Sequence, residues 1–120
     1  MEQYKLGEME TRLAQLIWAH QPLSTRALTE RCQEEFDWKR TTTYTMLKRL
    51  CDRKLFENRD GVVVALMSQE DFQAAQGELF VEETFGGSLP LFMAAFTRHR
   101  KLSKTDVEEL RRLIDEYEEE

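Results

Sequence analysis

The stretch from Trp38 to Lys54 reads W-K-R-T-T-T-Y-T-M-L-K-R-L-C-D-R-K, and the fold turns on it. It holds no Gly or Pro, so nothing interrupts a helix from about Thr41 to Lys54. At about 100° per residue, Thr43, Met46, Leu47, Leu50 and Cys51 collect on one side. The other side gathers Thr41, Thr45, Lys48 and Asp52, flanked by Tyr44 on one edge and by Thr42 and Arg49 on the other. One face is built for burial, and the other offers hydroxyls, a phenol and cations. Those groups hydrogen-bond base edges and phosphates in a DNA groove.

Charge supports the same reading. Lys39 and Arg40 stand at the helix start, where the dipole disfavours cations. They make sense if that end meets a phosphate, which free backbone N–H groups also bind. Between Lys39 and Lys54 six basic residues face one acid, Asp52, a net of +5. An ordinary amphipathic helix with a solvated cationic face is the bland alternative. The elements around the helix weigh against it.

At 120 residues the chain fits one domain, or one small domain and an accessory segment. No apolar run approaches the ~20 residues of a membrane span, so no membrane insertion is expected. No apolar region follows Lys5 as a secretion signal would require, which points to the cytoplasm. Cys32 and Cys51 match no metal-ligand spacing and read as buried free thiols. The net charge of −6 is unevenly spread: residues 1–66 carry 11 basic and 10 acidic side chains, and residues 67–120 carry 6 and 13. A basic helix in a near-neutral half beside an acidic half is a polarised molecule, and local fields govern encounter with DNA.

Helical spacing of Leu6, Met9, Leu13, Leu16, Ile17 and His20 predicts a first helix from about Gly7 to His20, stopped by Gln21-Pro22. Leu23 can add a short extended segment. Ser24 or Thr25 then caps a second helix, about Arg26 to Glu35, with Leu28, Cys32 and Phe36 inward. After Lys54 the period changes to two. Leu55–Arg59 and Val62–Leu66 are β-compatible runs joined by Asp60-Gly61, which favours a tight hairpin, with Arg59 beside its tip. Three helices and a hairpin make a winged helix-turn-helix, expected to span residues 1–67. In that fold the third helix enters the major groove and the wing touches flanking backbone.

Ser68-x-x-Asp71 opens a fourth helix to about Phe85, with Phe72, Ala75 and Leu79 on one stripe, ended by Gly86-Gly87-Ser88. A fifth carries Leu91, Phe92, Ala95, Phe96 and His99. Ser103-x-x-Asp106 opens a sixth with Val107, Leu110, Leu113, Ile114 and Tyr117 on one stripe. Phe72, Leu79, Leu91, Phe92, Phe96, Leu110 and Ile114 are a large apolar set for residues 68–120 to hide alone. A second copy would bury it, making this a dimerisation region. A two-fold homodimer also sets two recognition helices on a palindromic double-stranded operator.

Several stretches resemble the penicillinase repressor (BlaI/MecI/CopY) family. They are Leu16-Ile17-Trp18, Trp38 followed by Thr42, Thr45-Met46-Leu47 with Arg49-Leu50, Gly87-Ser88, and Leu102-Ser103. The resemblance spans nearly the whole chain. It implies a dimeric winged-helix repressor that occupies an operator, with Thr42 and Thr45 facing bases and Arg49 on phosphate. It further implies that a membrane-bound sensor protease inactivates the protein by a cut in the fifth helix, between Ala95 and Phe96. Lys39-Arg40-Thr41 stands where many members have Ser-Pro-Lys. No cysteine follows Cys51, so the paired Cys-x-Cys of the copper-responsive branch is lacking.

The expected protein is therefore a mainly α repressor with a β-hairpin wing, binding DNA through Lys39, Arg40, Thr41, Thr42, Tyr44, Thr45, Lys48, Arg49 and Arg59. The rival is a winged-helix module that binds protein and never DNA, but such a module has no need of clustered cations on its third helix. An enzyme is not indicated: there is no metal-ligand pair, phosphate-binding Gly loop, nucleophile elbow or cofactor motif.

Overall fold

The computed structural model describes residues 4–118. Its elements are α1 (Glu8–His20), β1 (Leu23–Ser24), α2 (Thr25–Phe36), α3 (Arg40–Asp52), β2 (Phe56–Arg59), β3 (Val62–Ala65), α4 (Gln69–Phe85), α5 (Leu89–His99) and α6 (Lys104–Glu118). They pack as two compact units, divided inside α4 between Leu79 and Phe80. That division lies twelve residues beyond the 67/68 boundary drawn from sequence. The first part of α4 belongs with the winged helix because Phe72 joins its core, with ring centroids 5.2 Å from Trp18 and 6.0 Å from Tyr4. Trp18 also donates Nε1–H to the Met67 carbonyl at 2.9 Å, so its polar tip is satisfied where the chain enters α4.

In the first unit α1, α2 and α3 bury one face each. Leu13, Ile17, Leu28, Leu50, Leu55, Phe56 and Val63 are at most 1% exposed. Burying each side chain of this kind contributes about 1.5–3 kcal/mol. The α1 stripe is a correction at one position. Met9 is 39% exposed, and its neighbour Glu10 is buried instead. Glu10 turns inward because its Oε2 accepts from Arg53 Nε at 2.8 Å, tying α1 to the C-terminal end of α3. Ser24 caps α2 by accepting from the Ala27 N–H at 3.0 Å. Asp37, left-handed at φ 57°, ends that helix with its N–H turned to the Cys32 and Gln33 carbonyls. Only Asp37 to Lys39 separate α2 from α3, the tight turn of a helix-turn-helix.

The sheet is antiparallel, ordered β1-β3-β2, with Leu23 opposite Val63 and Phe56 opposite Ala65. Asp60 and Gly61 both take positive φ, 51° and 85°, as a two-residue type I′ turn requires. Asn58 Oδ1 accepts from the Gly61 N–H at 2.9 Å and braces the turn. Leu55 and Leu66 fall just outside the strands, yet the Leu66 N–H still bonds the Leu55 carbonyl.

In the second unit α4 ends at Gly86 and Gly87, both at positive φ. Ser68, Ser88 and Ser103 each accept a backbone N–H three residues on, capping α4, α5 and α6. The Phe80, Phe85, Phe92 and Phe96 rings form a chain with neighbouring centroids 5.4–6.0 Å apart. No residue of α5 or α6 is fully buried. Among the described residues no helix is long and apolar enough to cross a membrane.

Candidate nucleic-acid interface

The buried face of α3 comprises Thr43, Met46, Leu47 and Leu50, with Cys51 only half-buried. Anchored on that side, the helix turns Arg40, Thr41, Tyr44, Thr45, Lys48 and Arg49 to the exterior, with Lys39 exposed at the N-cap and Thr42 half-buried at the edge. Lys39 makes no side-chain capping bond, so the first N–H groups of α3 keep their capacity for an anion.

Local bonds decide what these side chains can offer. The Thr45 hydroxyl donates to the Thr41 carbonyl at 2.9 Å. Thr45 therefore presents a methyl group and acceptor lone pairs, which suit a thymine methyl or a base amino group. Lys48 pairs with Asp52 at 3.5 Å and Arg59 with the half-exposed Glu57 at 2.8 Å, the other three being exposed. Exposed pairs of this kind contribute only about 0.2–1 kcal/mol, so a phosphate can displace either carboxylate. Among the described residues Lys39 and Arg49 have no ion pair. Arg53, counted from sequence with the basic stretch, is drawn inward by Glu10.

Two residues that the sequence reading took only as a cap candidate and a turn residue, Thr25 and Gly61, connect the reading helix to the wing. The Thr25 side chain and Arg40 lie beside the Tyr44 phenol, and their polar groups, Thr25 first, lower its pKa from the ordinary tyrosine value. The Arg40 guanidinium lies 5.6 Å from the Tyr44 ring centroid, within cation–π range. The Thr25 N–H in turn bonds the Gly61 carbonyl at 2.9 Å. Arg40, Tyr44, Thr25 and Gly61 thus run in series from the start of α3 through the start of α2 to the wing tip. A cap-type Thr at position 25 was the available signal, but its tie to position 61 is tertiary. The buried Cys32 and half-buried Cys51 thiols have raised pKa values, chiefly from desolvation.

The residues expected to join two copies fall into two groups. Phe72 and Leu79 are buried in the first unit and present no free face, a correction to their expected place at a dimer joint. Leu91, Phe96 and Ile114 are 55%, 41% and 58% exposed, and Phe92 and Leu110 are half-buried. Phe92, Met93, Phe96, Leu102, Leu110 and Leu113, with Asp106 and Glu109, line a groove of about 260 Å³ between α5 and α6. Ala95, half-buried, and Phe96 lie inside α5, so their peptide bond is in helical backbone.

A helix-turn-helix with a cationic third helix, a wing and an apolar C-terminal unit has counterparts among known proteins. The penicillinase repressor family model matches residues 6–116. The chain is 24% identical to the methicillin resistance regulatory protein MecI of Staphylococcus epidermidis over 117 residues, covering 93% of this chain and 94% of that protein. It is 21% identical to the penicillinase repressor of Bacillus licheniformis, covering 94% and 91%.

Proposed function

The chain belongs to the penicillinase repressor family, a family of regulators and not enzymes, and on that premise we propose that it is a homodimeric repressor of a palindromic operator. The observation that carries DNA binding is the exterior of α3, where Arg40, Thr41, Tyr44, Thr45, Lys48 and Arg49 lie together over a buried opposite face. Thr42 and Thr45 read base edges in the major groove. Lys39, Arg40 and Arg49 hold phosphate, and Arg59 meets the backbone beside the wing. A module that bound only protein would leave this row of cations without a purpose.

The exposed apolar residues of α5 and α6 cover one another in the dimer, so that two α3 helices reach successive turns of one duplex. Repression ends when a membrane-bound sensor protease cuts α5 between Ala95 and Phe96. The test of DNA binding is an anisotropy titration of the full chain on duplex from upstream of its own gene, set against random duplex, over a range of salt. Binding should be tighter on the upstream duplex and fall linearly on a log–log plot against salt. Equal, salt-independent affinities would overturn the proposal.

A further inference from the structure

The dimer reading makes no use of a basic segment in the second unit. Arg98, Arg100, Lys101 and Lys104, with His99 among them, form a basic segment, and the chain has no acid from Thr84 to Thr105. All five are exposed, and among the described residues none of the four cations enters an ion pair. Helix α4 is the complement: it carries Glu70, Asp71, Glu78, Glu82 and Glu83 and no base from Gln69 to Phe85.

Two of these groups are placed against their own helices. Lys104 is the first residue of α6, at the positive end of the dipole. Glu82 lies in the last turn of α4, at the negative end, where no base offsets it. Glu78 and Glu82 also stand four residues apart on α4, a like-charge spacing that weakens a helix. Charges that oppose the protomer's own stability are accounted for when their counter-ions come from outside the chain.

We propose that the counter-ions belong to a second copy: the basic segment Arg98–Lys104 of one protomer docks on the Glu78–Glu82 end of α4 in the other. The inference rests on the dimer reading given above. An isologous contact makes the pairing twice, once in each direction. The complementary acids on this same chain favour a second copy over a DNA backbone as the partner. The pairing makes assembly salt-sensitive, unlike a joint that is apolar throughout.

The experiment uses the full chain and two charge-reversed pairs, Lys101→Glu with Lys104→Glu, and Glu78→Lys with Glu82→Lys. Lys104→Glu and Glu82→Lys each improve the match to the local dipole, so neither pair should lower the helix content of the folded chain, which circular dichroism at low temperature checks. Sedimentation equilibrium then reads the dimer Kd at low and high salt. Each pair should weaken the dimer on the order of tenfold at low salt, and the quadruple variant should recover most of that loss. Wild type should itself weaken as salt rises. A dimer indifferent to salt and to both pairs overturns this inference while leaving the dimer reading intact. A monomeric wild type removes the dimer reading and this inference together. Weaker DNA binding by the Lys101/Lys104 variant with an unchanged dimer Kd would assign the segment to the phosphate backbone and overturn the proposal.

Discussion

Arg49 and Thr45 lie about one turn apart on the exterior of α3, and removing them should have different consequences. If Arg49 holds phosphate as proposed, Arg49→Ala should lower affinity for every sequence and flatten the salt slope by about one unit. Thr45→Ala should leave random duplex nearly untouched and erode operator preference by roughly 1 kcal/mol. Thr45→Val keeps a methyl group and discards the hydroxyl, so retained preference there would assign the reading to the methyl. The exterior placement of both was legible in sequence because helical period alone separates the two faces of α3, whereas their roles are what the family resemblance implies. Glu10 was not. Its partner Arg53 is 43 residues away, and periodicity gave the inward place to Met9. Glu10→Gln leaves the Arg53 guanidinium, its side chain 23% exposed, facing a neutral amide. Discounted for that exposure, the loss should be about 1–2 kcal/mol of stability, measured as a lower urea midpoint.

At the scale of the element, the turn and cap chemistry of this chain is written in short signals. Asp60-Gly61 marks the hairpin, and Ser68, Ser88 and Ser103 mark helix starts, all by contacts within three residues. What lay beyond reach was tertiary. A short extended segment at Leu23 was expected, and β1 occupies it, but its pairing with Val62 and Val63 has no sign in two residues. The division inside α4 follows from Phe72 packing on Trp18, with no mark in the local sequence. Gly61→Ala tests the wing by itself. A Cβ there meets nothing within 4 Å, so the cost is the left-handed backbone alone, about 1 kcal/mol, read as a lower urea midpoint. On α6, Ile114 is 58% exposed, so Ile114→Asp should spare the fold of the protomer. In a dimer joint the same carboxylate would be buried without a partner at a cost of several kcal/mol. Light scattering should find the variant monomeric at concentrations where the parent is a dimer, and an unchanged mass would exclude α6 from the joint.

For the whole molecule, one cut in α5 should undo both functions of the chain at once. Phe96 packs on Phe92 with centroids 6.0 Å apart, and Leu91 and Phe96 are among the apolar residues left for a second copy. Breaking the chain between Ala95 and Phe96 separates α6 from the rest and divides the wall of the α5–α6 groove. A protomer released from its partner holds the operator with one α3 instead of two. It forfeits the effective concentration of the second half-site, a loss on the order of a hundredfold or more in affinity. The bond is helical, so α5 must open before a protease can bind it as an extended strand. No residue of α5 is fully buried in the protomer, whereas α3 has four buried residues holding it down. Limited proteolysis should therefore attack α5 well before α3, and more slowly as protein concentration rises and the dimer covers it. Co-expressed with a membrane-bound sensor protease of the proposed kind and exposed to inducer, the protein should yield a fragment whose mass ends at Ala95. Should the intact chain leave the operator under induction, the switch is a ligand or a modification, and the exposed rings of α5 serve the dimer joint alone.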